Sequence, residues 1–426
     1  MKYEEKIKHI FRAYDIRGVF GETLFPNVIM KASAIFANLI KEKEQAKAVA
    51  VSGDGRTSSK VLMYAALAGI ASTGLDAYFI DSIPLPVFGF ILWQNEWLKG
   101  GAYVTASHNP PQWNGIRYRH SDGTGFSDEN VEIRERYFEN RVEWASWDKI
   151  GNIFVLDRED ALNKYVNFVM SLEPRPERQL TVIMDMLNSI GGIIVPRLFR
   201  ISHRVITLNA QVDGFFPAGS ADPVHGDTSK LQNTIIAYNA DMGIAFDGDA
   251  DRSVIVDDKG RRVAPEIIAI ILARELLKSG DKVVYNAECS SILRDKLEEF
   301  GIKAIETRVG DVFVAKSTKQ HGAKIGVESS YHFFAPIYGF YYDDAILVSY
   351  ILAAILSKYK KPLSEIADEI GHFHVIRENI SVDDELKWII IDKLHEEFSK
   401  EFSDISTIDG VKVYLEQGSV LIRPSN

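Results

Sequence analysis

The sequence predicts an α/β protein of three or four domains, built from repeated strand–helix–strand layers and ending in a small α+β unit. Two observations carry this reading. At 426 residues the chain is too long for a single hydrophobic core, so several domains with a site at their junction are expected. Strand-like apolar runs also alternate with helical ones through most of its length, the rhythm of parallel sheet.

From Lys47 to about Ser82 run a strand (AKAVAVSG), a polar turn (DGRTSS), a helix (KVLMYAALAGIAST) and a second strand (LDAYFID), together a βαβ unit. The rhythm returns in LTVIMDM, in ADMGIAF and in DKVVYNAE, the last followed by helical SSILRDKLEEFG and strand-like IKAIETR. No repeat of fixed period accompanies it. Breaks at RVEWASWDKIG, at VDGFFPAGSADPVHGD (inside a domain) and at KYKKPLSE suggest units at 1–150, 151–254, 255–370 and 371–426. The last unit carries strand-like FHVIRENISV, GVKVYLE and SVLIR around helical DELKWIIIDKLHEEFSKEF. Strand-like SVLIR almost at the chain end leaves a loop without an anchoring element, so this unit is expected to be cut short.

A hydrophobic fraction of 46% with 25% charged residues is ordinary for a globular protein. No apolar run approaches the ~20 residues that span a bilayer, and MKYEEKIKHIF lacks the apolar stretch of a signal peptide. A soluble, cytoplasmic protein with no membrane partner is expected. The net charge of −10 and the lack of clustered Lys and Arg argue against nucleic acid, whereas a small anionic substrate needs only a locally basic cleft. The single cysteine, Cys289, falls between a predicted strand and helix, where a small buried side chain is expected. Monomer and homo-oligomer are both open.

Chemistry concentrates in four segments. In GAYVTASHNPPQWNGIRY a strand delivers Ser107 and His108 at a turn; a serine hydroxyl needs a base, a metal or prior phosphorylation before it reacts, and His108 alone is not activation. In ADMGIAFDGDADRSVIV, Asp247, Asp249 and Asp251 alternate at a strand end and are followed by Arg252. Three carboxylates so close repel unless a cation lies among them, and hard oxygen ligands suit Mg²⁺, although a solvated acidic turn would read the same way. AKIGVESSYHFF offers Glu328, Ser330 and His332 at alternate positions, on one face if the segment is extended, as would suit sugar hydroxyls or a polar edge strand. FRAYDIRG supplies Tyr14, Arg12 and Arg17, and LIRPSN supplies Arg423 and Ser425; each alone suits a surface salt bridge or turn.

Taken together and in this order, FRAYDIRG, VTASHNP with NGI, FDGDADR and the G-x-E-S-S-x-H segment resemble the α-D-phosphohexomutase superfamily, the phosphoglucomutase/phosphomannomutase group. GDGRTSS, the paired prolines of IPLP, the TRVG turn and the terminal R-P-S extend the resemblance over nearly the whole chain. It implies three α/β layered domains with mixed sheets plus a small, incomplete α+β domain around a central cleft. It further implies that Ser107 is phosphorylated at rest, with one Mg²⁺ held by Asp247, Asp249, Asp251 and the phosphoserine. Arg17, Arg117 and Arg252 would neutralise charge in phosphoryl transfer. Glu328, Ser330 and nearby His332 would face the sugar hydroxyls, as would Thr307 and Gly310 of TRVG, and Arg423 and Ser425 the phosphate.

The implied reaction interconverts hexose 1- and 6-phosphates through a hexose 1,6-bisphosphate, which also serves as activator. TASHNPP followed by Trp-Asn-Gly resembles the glucose and mannose branch. Phosphoglucosamine mutase activity is the alternative, and a catalytically weak sugar-phosphate-binding relative is the reading of another class. Four positions depart from the family pattern: Arg117 replaces a lysine, which leaves His108 as the better acid/base candidate; Tyr331 replaces a glycine; Leu85 replaces a threonine; Asp344 stands where glycine commonly follows Asp343. The family motif also continues beyond R-P-S, so a weakened phosphate grip is expected.

Overall fold

The computed structural model describes residues 7–416 and 418–424. Four sheets follow one another along these residues. The first has six strands in the order Ile16–Val19, Trp113–His120, Gly100–Val104, Ala48–Gly53, Asp76–Ile80 and Ile153–Leu156. Its first two pairings are antiparallel and its last three parallel. The second sheet orders Arg262–Val263, Ser253–Asp257, Met242–Phe246, Thr181–Asp185 and Arg204–Leu208; the third orders Lys303–Thr307, Lys282–Asn286, Ile325–Val327 and Phe333–Phe334. Both are mixed as well. A small antiparallel sheet, Ile405–Ser406, Val411–Leu415 and Gly418–Ile422, closes the chain beside the helix Asp384–Glu401.

The fold class is the predicted one: three mixed α/β sheets, then a small α+β unit. The central strands are continuous apolar runs because helices cover both faces; every residue of Ala48–Gly53 and of Met242–Phe246 is buried. One apolar core runs from the helix Leu85–Gln94 through Val182, Met184 and Ile267–Ala273 to the helix Ala345–Lys358, so the first three sheets share an interior. Cys289 is buried between Lys282–Asn286 and the helix Ser291–Glu299, as expected.

One strand-like run fails. FHVIRENISV is irregular, and Val375, Ile376 and Ile380 are 68%, 87% and 85% exposed. Alternation alone does not make a strand; this segment has no neighbouring strand among the described residues to take up its backbone hydrogen bonds. Among the described residues no helix is long and apolar enough to cross a membrane.

The loops of interest share a geometric origin. Asp54–Ser59, Ser107, Asp247–Arg252, Glu288, Thr307–Gly310 and Glu328 all lie at or beyond the carboxyl ends of strands, where open α/β sheets form their ligand crevices.

Candidate active site

Ser107 follows the strand Gly100–Val104 with φ +49°, a left-handed conformation that a non-glycine residue adopts at a cost. The surroundings hold it there. Its amide donates to Thr105 Oγ1 at 2.8 Å, and its carbonyl accepts from Arg56 Nη2 at 2.7 Å. Arg56 also donates to the carbonyls of Asn109, Pro110 and Trp113, and is paired at 3.1 Å with Asp54; both side chains are fully buried. A planar guanidinium with five donors can gather such a ring of carbonyls where an ammonium could not. Arg56, in GDGRTSS, was not assigned a role from sequence; the signal was there in an arginine among small turn residues just after a strand.

The Ser107 hydroxyl donates to Asp247 Oδ2 at 3.0 Å and lies 3.2 Å from His108 Nδ1. The serine loop and the aspartate loop, 140 residues apart in sequence, are thus in direct contact. Thr105 Oγ1 reinforces the junction, 2.8 Å from Asp54 Oδ2 and 2.9 Å from Asp249 Oδ2. Leu85, at the variant position between the prolines, is buried and donates its amide to the Asp249 carbonyl at 3.0 Å.

Asp247, Asp249 and Asp251 are wholly buried, and one ligand oxygen from each lies within 4.8 Å of the others. Oδ1 of Asp249 has no hydrogen-bond partner, and Oδ1 of Asp251 meets His332 Nε2 only at 3.5 Å. Burial and the charges of Asp251 and Asp249 push the Asp247 pKa well up, and burial with Asp251 and Asp54 raises Asp249 to about 7. Burial also opposes charge on Asp251, but His332, Arg252 and Arg117 outweigh it and hold its pKa down. Buried, mutually repelling carboxylates, one of them with an orphaned oxygen, fit a divalent cation of the Mg²⁺ kind.

Arg117 reaches Asp251 at 3.4 Å and also ion-pairs with Asp311, the first residue of the helix Asp311–His321. It therefore ties the first sheet to both the aspartate loop and the third unit. Arg17 donates to Asn109 Oδ1 at 2.8 Å and to Asp15 at 2.6 Å, beside the serine loop. Burial first, then Arg252, pushes the His108 pKa down to about 3, which leaves its ring uncharged at neutral pH.

Glu328, Ser330 and His332 do converge, though not by alternation along an extended strand. The strand ends at Val327, and Glu328–His332 closes a turn in which the Glu328 amide donates to the His332 carbonyl at 3.0 Å. Tyr331 takes φ +67° in that turn, which accounts for glycine at this position in the family pattern. Glu328 accepts from Ser330 Oγ at 3.1 Å and pairs with His332 Nδ1 at 2.8 Å, while its other oxygen accepts the Gly310 amide at 2.8 Å. Tyr14 lies over Gly310 with its ring edge-on to Phe313, and Thr307 ends the adjoining strand. Burial and Arg252 work against charge on His332, yet Asp251 and Glu328 prevail and raise its pKa. A main-chain bridge joins Arg252 to His332, so the aspartate loop and this turn are paired directly. Arg423 lies at the end of the last strand, and Ser425 falls outside the described residues.

Three mixed α/β sheets and a small antiparallel one, with a buried serine set against three aspartates between the first two, define the architecture of the α-D-phosphohexomutase superfamily. Residues 8–143, 162–260 and 264–373 match alpha/beta/alpha domains I, II and III of phosphoglucomutase/phosphomannomutase. The chain belongs to this family and is an isomerase of the superfamily, an intramolecular phosphotransferase. It is 35% identical to a Methanothermobacter thermautotrophicus protein named "Probable phosphoglucosamine mutase", with 99% of this chain and 92% of that one covered. It is 30% identical to a Thermococcus kodakarensis phosphoglucomutase/phosphomannomutase, with 98% and 92% covered. The crystal structure of a phosphoglucomutase/phosphomannomutase family protein from Burkholderia thailandensis superposes with a TM-score of 0.87 at 27% identity, over 98% of this chain and 91% of that one.

Proposed function

We propose that the protein interconverts the 1- and 6-phosphates of a hexosamine or hexose through a phosphorylated Ser107. The observation that carries this reading is the contact of the Ser107 hydroxyl with Asp247 in a buried aspartate triad. Three buried carboxylates are only partly offset by Arg117, Arg252 and His332, and the adjoining hydroxyl lies between Asp247 and an uncharged His108. As phosphoserine it supplies the missing logic.

In the forward half-reaction the P–O bond to Ser107 Oγ breaks as a new one forms to the sugar hydroxyl, and the hydroxyl proton moves to a base. The reverse half-reaction, on the bisphosphate turned end for end, restores phosphoserine and leaves the isomer. Mg²⁺ held by Asp247, Asp249, Asp251 and a phosphoryl oxygen would neutralise charge on the group in transfer. Arg17 and Arg252 add positive charge to the same space. Uncharged His108, beside Ser107 Oγ, is our candidate for carrying the proton; Arg117 is not, since its guanidinium keeps its proton and serves as a strut to Asp251 and Asp311. We assign Tyr14, Thr307, Gly310, Glu328, Ser330 and His332 to the sugar and Arg423, with Ser425, to its distal phosphate.

For the sugar we favour glucosamine phosphate, the substrate named for the 35% relative. Glucose or mannose phosphate is the second reading, favoured by the TASHNPP–Trp-Asn-Gly segment and by the relatives named for those sugars. The test is an assay of all three 6-phosphates with Mg²⁺ and the matching 1,6-bisphosphate, alongside intact mass before and after phosphatase. One phosphoryl group lost on phosphatase treatment, absent from Ser107→Ala, is expected. Full turnover by Ser107→Ala would sink the proposal.

A further inference from the structure

Arg423 is held in place by two carboxylates. Its Nη1 donates to Glu288 Oε1 at 3.0 Å and its Nε to Asp409 Oδ2 at 3.1 Å. Asp409 Oδ2 also accepts the amide of Val309, in the TRVG turn, at 3.1 Å. Glu288 uses its second oxygen twice more: it accepts from Ser329 Oγ at 3.0 Å and from Arg377 Nη2 at 2.8 Å. Glu288 lies in the loop between Lys282–Asn286 and Ser291–Glu299, at the end of strand-like DKVVYNAE and outside the four segments in which chemistry concentrates. It nonetheless gathers the turn that holds Glu328 and Ser330, the irregular segment carrying Arg377, and the arginine that follows the last strand.

An arginine offers five N–H donors, and the two carboxylates engage the Nε and one Nη1 hydrogen. Three remain. The Arg423 side chain is 20% accessible and that of Glu288 19%, so the pair lies at a surface a ligand can reach. A long flexible side chain loses rotamer freedom when it grips an anion, and that loss is smaller if its direction is already set.

We propose that Glu288 is a positioning residue: it aims the free donors of Arg423 at the distal phosphate of the sugar and, through Ser329, fixes that grip relative to the sugar-facing turn. The inference rests on the mutase reading above, in which Arg423 meets phosphate. The opposite electrostatic role is a real competitor, since a carboxylate on Arg423 could instead compete with phosphate. The two differ in sign.

The experiment compares the full chain with Glu288→Gln, Glu288→Asp and Asp409→Asn by calorimetric titration with glucosamine 6-phosphate and with glucose 6-phosphate, and by steady-state kinetics. Glu288→Gln is expected to weaken binding and raise KM about five- to tenfold with kcat within about twofold. Glu288→Asp should lie between it and wild type, and Asp409→Asn should shift binding in the same direction by the second hold, which keeps the test alive if Glu288→Gln does not fold. Unchanged or tighter binding in the folded variants, a fall in kcat at constant KM, or no binding of either phosphate by wild type would overturn the proposal. Wild type that binds through Glu288 but neither turns over nor carries phosphoserine would sink the mutase reading alone; normal turnover with Glu288-independent KM would sink this inference alone.

Discussion

Gly248 packs directly on the carbonyl of Ser107: a Cβ at 248 would lie 2.2 Å from that oxygen. The second residue of the aspartate run is glycine because the serine loop occupies the space a side chain would need. Gly248→Ala must push the two loops apart while leaving both sheets intact. Displacements of about 1 Å at a reacting group cost on the order of a hundredfold in rate. The expected result is that loss in kcat, with an unchanged circular dichroism spectrum; near-wild-type turnover would show that the loops need not touch.

Asp249 gives a metal prediction with a sign. With its carboxyl raised to about 7, proton and cation compete for the same oxygens, so Mg²⁺ affinity should fall as pH drops below about 7, and the raised carboxyl of Asp247 works in the same direction. Calorimetric titration with Mg²⁺ at several pH values, in buffers of different ionisation enthalpy, should show net proton release on binding. Chelation should abolish turnover and added Mg²⁺ restore it. Asp249→Asn should weaken the metal by at least about tenfold and reduce its pH dependence around 7.

Arg56 should be irreplaceable by lysine. An ammonium cannot span the carbonyls of Ser107, Asn109, Pro110 and Trp113 while pairing with Asp54. Leaving buried carbonyls and a buried carboxylate short of donors costs about 3 kcal/mol. Arg56→Lys should show that loss in chemical denaturation, together with a reduced phosphoserine fraction by mass.

His203 predicts acid sensitivity far from the site. Its Nδ1 accepts the Leu180 amide at 3.3 Å, and burial pushes its pKa from 6.5 to about 4. The unfolded chain therefore takes up a proton before the folded one does. The stabilisation is complete above about 6.5 and is lost as pH falls toward 4, with a slope of at most ~1.4 kcal/mol per pH unit. Denaturant unfolding between about pH 5 and 7 should show this slope in wild type and a shallower one in His203→Gln.

The legibility of this chain followed physical locality. Strands such as Ala48–Gly53 and Met242–Phe246 were visible because burial on both faces makes the run itself apolar. Ser107 and the aspartates were visible because each motif is contiguous. Whatever depends on groups distant in sequence was not: the hold of Arg56 on the serine loop, the Glu288–Arg423 pair 135 residues apart, and the absence, among the described residues, of a partner strand for FHVIRENISV. The Glu328–His332 turn was misread for a related reason. Alternating side chains suit an extended strand, but Glu328 finds its partners by curling back, and the Tyr331 backbone angle that permits this is unusual for tyrosine.

The main-chain bridge between Arg252 and His332 couples two properties usually treated as separable. The backbone that presents the aspartates and the backbone that presents Glu328 and Ser330 are pinned to each other at this bridge, so amides of both loops are expected to become exposed to exchange in a single opening event. A substitution in the Glu328–His332 turn that shifts the backbone also shifts Arg252 and the carboxylates beside it. Substitutions in the Glu328–His332 turn are therefore expected to change Mg²⁺ affinity along with sugar-phosphate affinity.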